Sequence, residues 1–107
     1  MQVSYSNNEI GIIKVKLLGV LKGLAKKEEI DLQITSEEIS LFDLLKQLTK
    51  LNNNDEFFKR IFNPSLTQIA PDILISYQDK IFPARGNENI KIKRNSVLTI
   101  FSFVHGG

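Results

Sequence analysis

Ser40-Leu41-Phe42-Asp43-Leu44-Leu45-Lys46-Gln47-Leu48-Thr49-Lys50-Leu51 carries the clearest periodic signal in the chain. Leu41, Leu44, Leu45, Leu48 and Leu51 recur at three- and four-residue spacings and form one apolar stripe, with Lys46, Gln47 and Lys50 on the other side. Ser40 is placed to cap the first turn, and Asp43 sits where the helix dipole favours a carboxylate. Asn52-Asn53-Asn54 ends the helix, because asparagine tolerates the left-handed backbone.

Upstream of this helix, Ile13, Val15 and Leu17 alternate with Lys14 and Lys16, the period of a half-buried strand. Ile30, Leu32 and Ile34 alternate in the same way with Asp31, Gln33 and Thr35. The two strands are predicted to pair as a hairpin. Residues 19–27 are read as a long connection that Leu21 and Leu24 anchor to the core. Residues 1–11 are polar, with Ser6-Asn7-Asn8 as a loop or frayed end.

Downstream, Asp55 is predicted to cap a short second helix that runs through Phe62 and stops before Pro64. Phe57, Phe58, Ile61 and Phe62 form its apolar side, and so dense a tract reads as core rather than as a ligand pocket. Residues 73–77 read as a strand, Gln78-Asp79-Lys80 as a turn and Ile81-Phe82 as a short strand. Residues 97–104 read as a long final strand, β-branched and aromatic. An amphipathic helix packed across a small mixed sheet buries the apolar surface of such an order of elements. The predicted class is α+β: a β-grasp (ubiquitin-like) domain over residues 1–107, with about four to five strands on one main helix and a short second helix.

Composition narrows the function. At 107 residues the chain fits one domain able to bury roughly two-thirds of its unfolded surface. Lysine and arginine number 14 against 12 acidic residues, a net charge of +2 that leaves no electrostatic footprint for nucleic acid. Lys14, Lys16, Lys22, Lys26 and Lys27 lack the interleaved aromatics of a nucleic-acid surface and read as a solvated face, so no direct nucleic-acid binding is expected. No apolar run approaches the roughly 18 residues of a membrane helix, and the first residues lack the charged-then-apolar order of a secretory signal. A cytoplasmic protein without membrane attachment is expected. The chain has no cysteine, which removes disulfides, thiolate metal sites and a cysteine nucleophile. We find no nucleophile–base pair, metal-ligand spacing or glycine-rich phosphate loop, so the chain is read as having no catalytic or metal site of its own.

The sequence closes on Val104-His105-Gly106-Gly107, directly after the last strand. Chance alone places two glycines at that position in roughly one chain in two hundred; their place behind a β-grasp pattern is the more telling feature. His105 is the single histidine, with no acidic partner or nucleophile nearby in sequence, and reads as a tail spacer or recognition contact.

These segments resemble the family of ubiquitin-related modifiers and the small subunits of molybdopterin synthase. Residues 14–25 are similar to the family's first strand and leucine-rich loop, Ser40-Leu41-Phe42-Asp43-Leu44-Leu45 to the start of its helix, and residues 97–107 to its final strand and tail. His105-Gly106-Gly107 favours the modifier branch. The resemblance covers the chain from residue 12, with residues 52–70 least typical. Where the family usually has Asp-Gly-Asp before the last strand, this chain has Arg94-Asn95-Ser96, and Asn95 can still take the turn conformation.

The resemblance implies a sulfur carrier and protein modifier that acts through the carboxylate of Gly107, at the end of a flexible tail with Gly106 and His105. An E1-like adenylating enzyme would use ATP to form an acyl-adenylate on Gly107. A sulfurtransferase persulfide would convert it to a terminal thiocarboxylate, while attack by a target-protein lysine would form an isopeptide bond. No permanently bound cofactor is implied. The acceptor of the sulfur stays open between a tRNA-thiolation enzyme and the molybdopterin synthase large subunit. A β-grasp interaction module with an incidental Gly-Gly end is the reading from another class.

In the final strand, Leu98 and Ile100 are assigned to the helix stripe. Thr99, Phe101 and Phe103 are assigned to the open face as a partner-docking surface. Cover by the second helix or by residues 1–11 is the competing arrangement.

Overall fold

Alternation places Ile13, Val15 and Leu17 on the buried side of β1 (Gly11–Leu17), and Ile30, Leu32 and Ile34 on the buried side of β2 (Glu29–Ile34). The two strands pair antiparallel, with Val15 opposite Ile30 and Ile13 opposite Leu32. The structure is a computed structural model that describes residues 10–62 and 68–103.

Residues 19–25, predicted as a connection, are instead helix α1 (Gly19–Ala25). Gly19 opens it with φ 59°, a conformation glycine takes without steric cost. Two glycines in seven residues argue against helix on propensity. Leu21 and Ala25, one turn apart, override that by packing into the core.

The leucine stripe forms α2 (Leu41–Asn52). Ser40 Oγ accepts from the Asp43 amide at 3.1 Å, as expected of the cap, and Asn53 ends the helix at φ 53°. Leu41, Leu44, Leu45 and Leu48 are fully buried; Leu51, predicted in the same stripe, is 58% exposed. It sits in the last turn at the border of the stripe, where it lines an open groove with Leu32 of β2, while Thr49 in the same turn is buried. Asn54, not Asp55, caps α3 (Asp55–Ile61): its Oδ1 accepts from the Glu56 and Phe57 amides. Asn54 Nδ2 also donates to the Leu24 carbonyl at 2.8 Å, tying α3 to α1. Phe57, Ile61 and Phe62 are buried and Phe58 is partly so, stacked beside Phe62 with ring centroids 5.4 Å apart.

The remaining strands are β3 (Glu38–Ser40), β4 (Ile73–Tyr77), β5 (Lys80–Pro83), β6 (Lys91–Lys93) and β7 (Val97–Ser102). The main sheet has the order β2-β1-β7-β4-β5, with β1 and β7 parallel and the other pairs antiparallel. Gln78 and Asp79, both at positive φ, make the tight β4–β5 turn, and Pro83 is tolerated because β5 is an edge strand. The separate β3–β6 pair was not predicted; each strand is three residues long and buries one isoleucine, Ile39 or Ile92. The final strand ends at Ser102 rather than Val104, which lies outside the described residues.

α2 lies against one face of the five-stranded sheet, and α1 and α3 join the same hydrophobic core. This is the α+β β-grasp. No helix among the described residues is long and apolar enough to cross a membrane.

Candidate functional site

β7 occupies the centre of the sheet, parallel to β1 on one side and antiparallel to β4 on the other. Leu98 and Ile100 are fully buried in the hydrophobic core that also holds the leucines of α2. Side chains alternate across a strand, so Val97, Thr99 and Phe101 point to the opposite face. There Phe101 stands opposite Leu74, and Thr99 lies between Lys16 of β1 and Ser76 of β4. Thr99 and Phe101 are half-buried and Phe103 is 52% exposed. Leu18, 49% exposed, borders the same end of the face, its amide bonded to the Ile100 carbonyl.

Of the two coverings considered for these rings, α3 packs against α1 and α2; residues 1–9 lie outside the described residues. His105, Gly106 and Gly107 also lie outside them.

The base of the tail is held by groups that sequence reading missed. The Phe103 amide donates to the Asp72 carbonyl at 2.9 Å, one step past the end of β7. Arg60 of α3 grips the Asp72 carboxylate with both ends of its guanidinium: Nη1 to Oδ1 at 3.0 Å, and Nη2 to Oδ2. The hydrogen bond to Asp72 holds Arg60 more firmly protonated than an ordinary arginine. The two side chains are 29% and 25% exposed, so solvent screens the pair less than it does Lys59–Asp55, at 68% and 74%. The only local hint was an acidic residue directly after Pro71 and before a strand. Its basic partner lies twelve residues earlier in the chain, and no spacing rule finds such a pair.

Lys14 Nζ reaches Glu29 Oε2 at 2.6 Å and Asp31 Oδ1 at 3.6 Å, and Lys22 approaches Glu28. Among the described residues no group of three histidine, aspartate or glutamate side chains could hold a metal. An open groove of about 590 Å³ lies between β2 and α2, lined by Leu32, Gln47 and Leu51 among others, away from the end of β7.

A comparison with curated proteins finds no significant match. Among solved structures, the fold is similar to the small archaeal modifier protein 1 of Methanosarcina acetivorans: TM-score 0.69 and 22% identity over 92% of this chain and 99% of that one. It is also similar to the ubiquitin related modifier of Sulfolobus solfataricus, with TM-score 0.55 and 27% identity over 84% of this chain and 99% of that one. A putative molybdopterin converting factor subunit 1 from Pyrococcus furiosus matches with TM-score 0.62 and 18% identity, over 88% of this chain and 99% of that one. The family model for ubiquitin related modifiers matches residues 12–107, which include the central strand and the Gly-Gly end. By that match the chain belongs to the ubiquitin related modifier (Urm1) family.

Proposed function

We propose that the protein is a sulfur carrier and protein modifier whose reactive group is the carboxylate of Gly107. The observation that carries this reading is the family match running through Gly107, directly behind a strand fixed at the centre of the sheet. Such a carboxylate has a pKa of about 3.5 and is anionic at neutral pH. In the proposed reaction one of its oxygens attacks the α-phosphorus of ATP on an activating enzyme, and the bond to the departing pyrophosphate breaks. The resulting acyl-adenylate has a good leaving group. A persulfide on a sulfurtransferase then attacks the acyl carbon and expels AMP, and a second thiol reduces the acyl disulfide to the thiocarboxylate. Attack by a lysine amine on the activated carbonyl would instead give an isopeptide bond.

The single domain and its cytoplasmic setting belong to the same proposal, as does the mobility of the tail. Gly106 and Gly107 have no Cβ, which suits an extended tail to a narrow catalytic channel. The likeness to a molybdopterin converting factor subunit favours a second acceptor, a synthase large subunit, reached by the same activation.

The test is ATP–pyrophosphate exchange with the cognate activating enzyme. Removing Gly107, or replacing Gly106 with a bulky residue, should abolish exchange and leave the unfolding midpoint unchanged. Unchanged exchange would sink the proposal. Mass spectrometry from native cells, read for one oxygen-to-sulfur exchange or for lysine conjugates, separates the carrier from a plain interaction module.

A further inference from the structure

We infer that the Arg60–Asp72 pair is a latch: it fixes the residue at which the chain leaves the sheet and so sets the reach of the terminal glycines. The consequence for reach rests on the role proposed for Gly107; the latch itself does not.

The ladder between β4 and β7 ends with Ile73 opposite Ser102. The Phe103–Asp72 hydrogen bond extends it by one step, from a residue that lies in a turn and not in a strand. That turn is itself held to the end of α3. The Ala70 amide donates to the Ile61 carbonyl at 2.8 Å, Phe62 bridges to Ile69, and the Ile73 amide returns to the Ala70 carbonyl. The forked Arg60 contact restrains the orientation of Asp72 about its backbone, and with it the direction of the carbonyl that receives Phe103. A bidentate, partly buried guanidinium–carboxylate pair has the geometric specificity for this; a single lysine contact does not. Each residue released from the ladder would add about 3.3 Å of unfixed chain between the sheet and Gly107. Arg60, in the stretch least typical of the family, is thus a positioning residue for the tail.

The experiment measures amide hydrogen exchange by NMR in the full chain and in Arg60→Ala, Arg60→Lys, Asp72→Asn and Lys59→Ala variants. Asp72→Asn keeps the carbonyl and removes the charge; Lys59→Ala removes a neighbouring exposed cation as control. Arg60→Ala and Asp72→Asn should speed exchange at Phe103 about tenfold, the effect of one lost charge-assisted hydrogen bond, and leave Thr99, deeper in the same ladder, unchanged. Arg60→Lys should recover part of the protection, and Lys59→Ala should change nothing. Unaltered Phe103 exchange, or Phe103 and Thr99 rising together, overturns the latch. In pyrophosphate exchange the two latch-breaking variants should raise KM severalfold at constant kcat, and an unchanged KM overturns the effect on reach. Absence of pyrophosphate exchange in the unsubstituted protein would remove the proposed function, while the amide data still decide the latch.

Discussion

Asn95 and Ile12 exchange hydrogen bonds in both directions. The Asn95 amide donates to the Ile12 carbonyl at 2.9 Å, and the Ile12 amide donates to Asn95 Oδ1 at 3.3 Å. Asn95 does this at φ 66°, in the loop that enters the central strand. The family's Asp-Gly-Asp turn is thus replaced by a residue that takes the left-handed backbone and also pins the start of β1.

Two substitutions separate these roles. Asn95→Ala loses the conformational tolerance and the side-chain acceptor, and should cost about 1–3 kcal/mol in urea unfolding. Asn95→Gly keeps the backbone tolerance and should cost about half as much or less. Equal losses would show that the backbone conformation contributes nothing.

The helix stripe offers a sharper contrast. Leu48 is fully buried and Leu51 is 58% exposed, though both fit the same spacing. Leu48→Ala should cost about 2–5 kcal/mol and Leu51→Ala less than about 0.5 kcal/mol. A large loss at Leu51 would mean that the helix end packs more tightly than its exposure indicates.

Leu51 also shows why part of the fold was legible and part was not. Periodicity reports which face of a helix is apolar, and it found α2, the β1–β2 hairpin and the buried side of β7 correctly. It does not fix the edge of the buried stripe: in the last turn Thr49 is buried and Leu51, at the border of the apolar side, is not. α1 was missed because its two glycines hide a helix that forms through the packing of Leu21 and Ala25. β3 and β6 are too short for any period to register, with a single buried isoleucine in each. In β7, alternation separates the buried Leu98 and Ile100 from the half-buried Thr99 and Phe101. Arg60 and Asp72 stayed invisible because their pairing depends on how α3 returns to the sheet.

A pH dependence follows from the Lys14–Glu29 contact. The hydrogen bond from Lys14 holds the Glu29 carboxyl below its ordinary value of 4.5, and the same bond raises Lys14. A carboxyl whose folded pKa is depressed contributes stability that is fully present above the unfolded value. That contribution is lost as the pH falls through the folded one, because the unfolded chain binds the proton first. The pair is solvent-exposed, so the effect on the unfolding midpoint should be small. NMR titration of the side-chain carboxyls should place Glu29 below the ordinary glutamate value, as it should Glu88, which the Gly86 amide depresses. Lys14→Met should return Glu29 toward its ordinary value while leaving Glu88 in place. An unmoved Glu29 would assign the shift to another cause.

The open face near the end of β7 supplies the last test. Phe101 stands beside Leu74, with Phe103 and Leu18 more exposed at the same end of the sheet. Under the function proposed above, apolar groups in such a cluster would suit a partner that holds the domain while Gly107 enters its active site. Buried aromatic anchors of this kind often contribute about 2 kcal/mol or more to binding, so Phe101→Ser with Phe103→Ser should weaken binding to the activating enzyme by about tenfold or more. The stability cost should be modest, because Leu98 and Ile100 of β7, not these rings, are fully buried in the core. Leu51→Ser, an equally exposed apolar site on the helix side, should leave binding unchanged and controls for general surface effects. If the double variant unfolds, the rings belong to the core and docking lies elsewhere. If it folds and binds as well as the unsubstituted protein, the open face is not the contact.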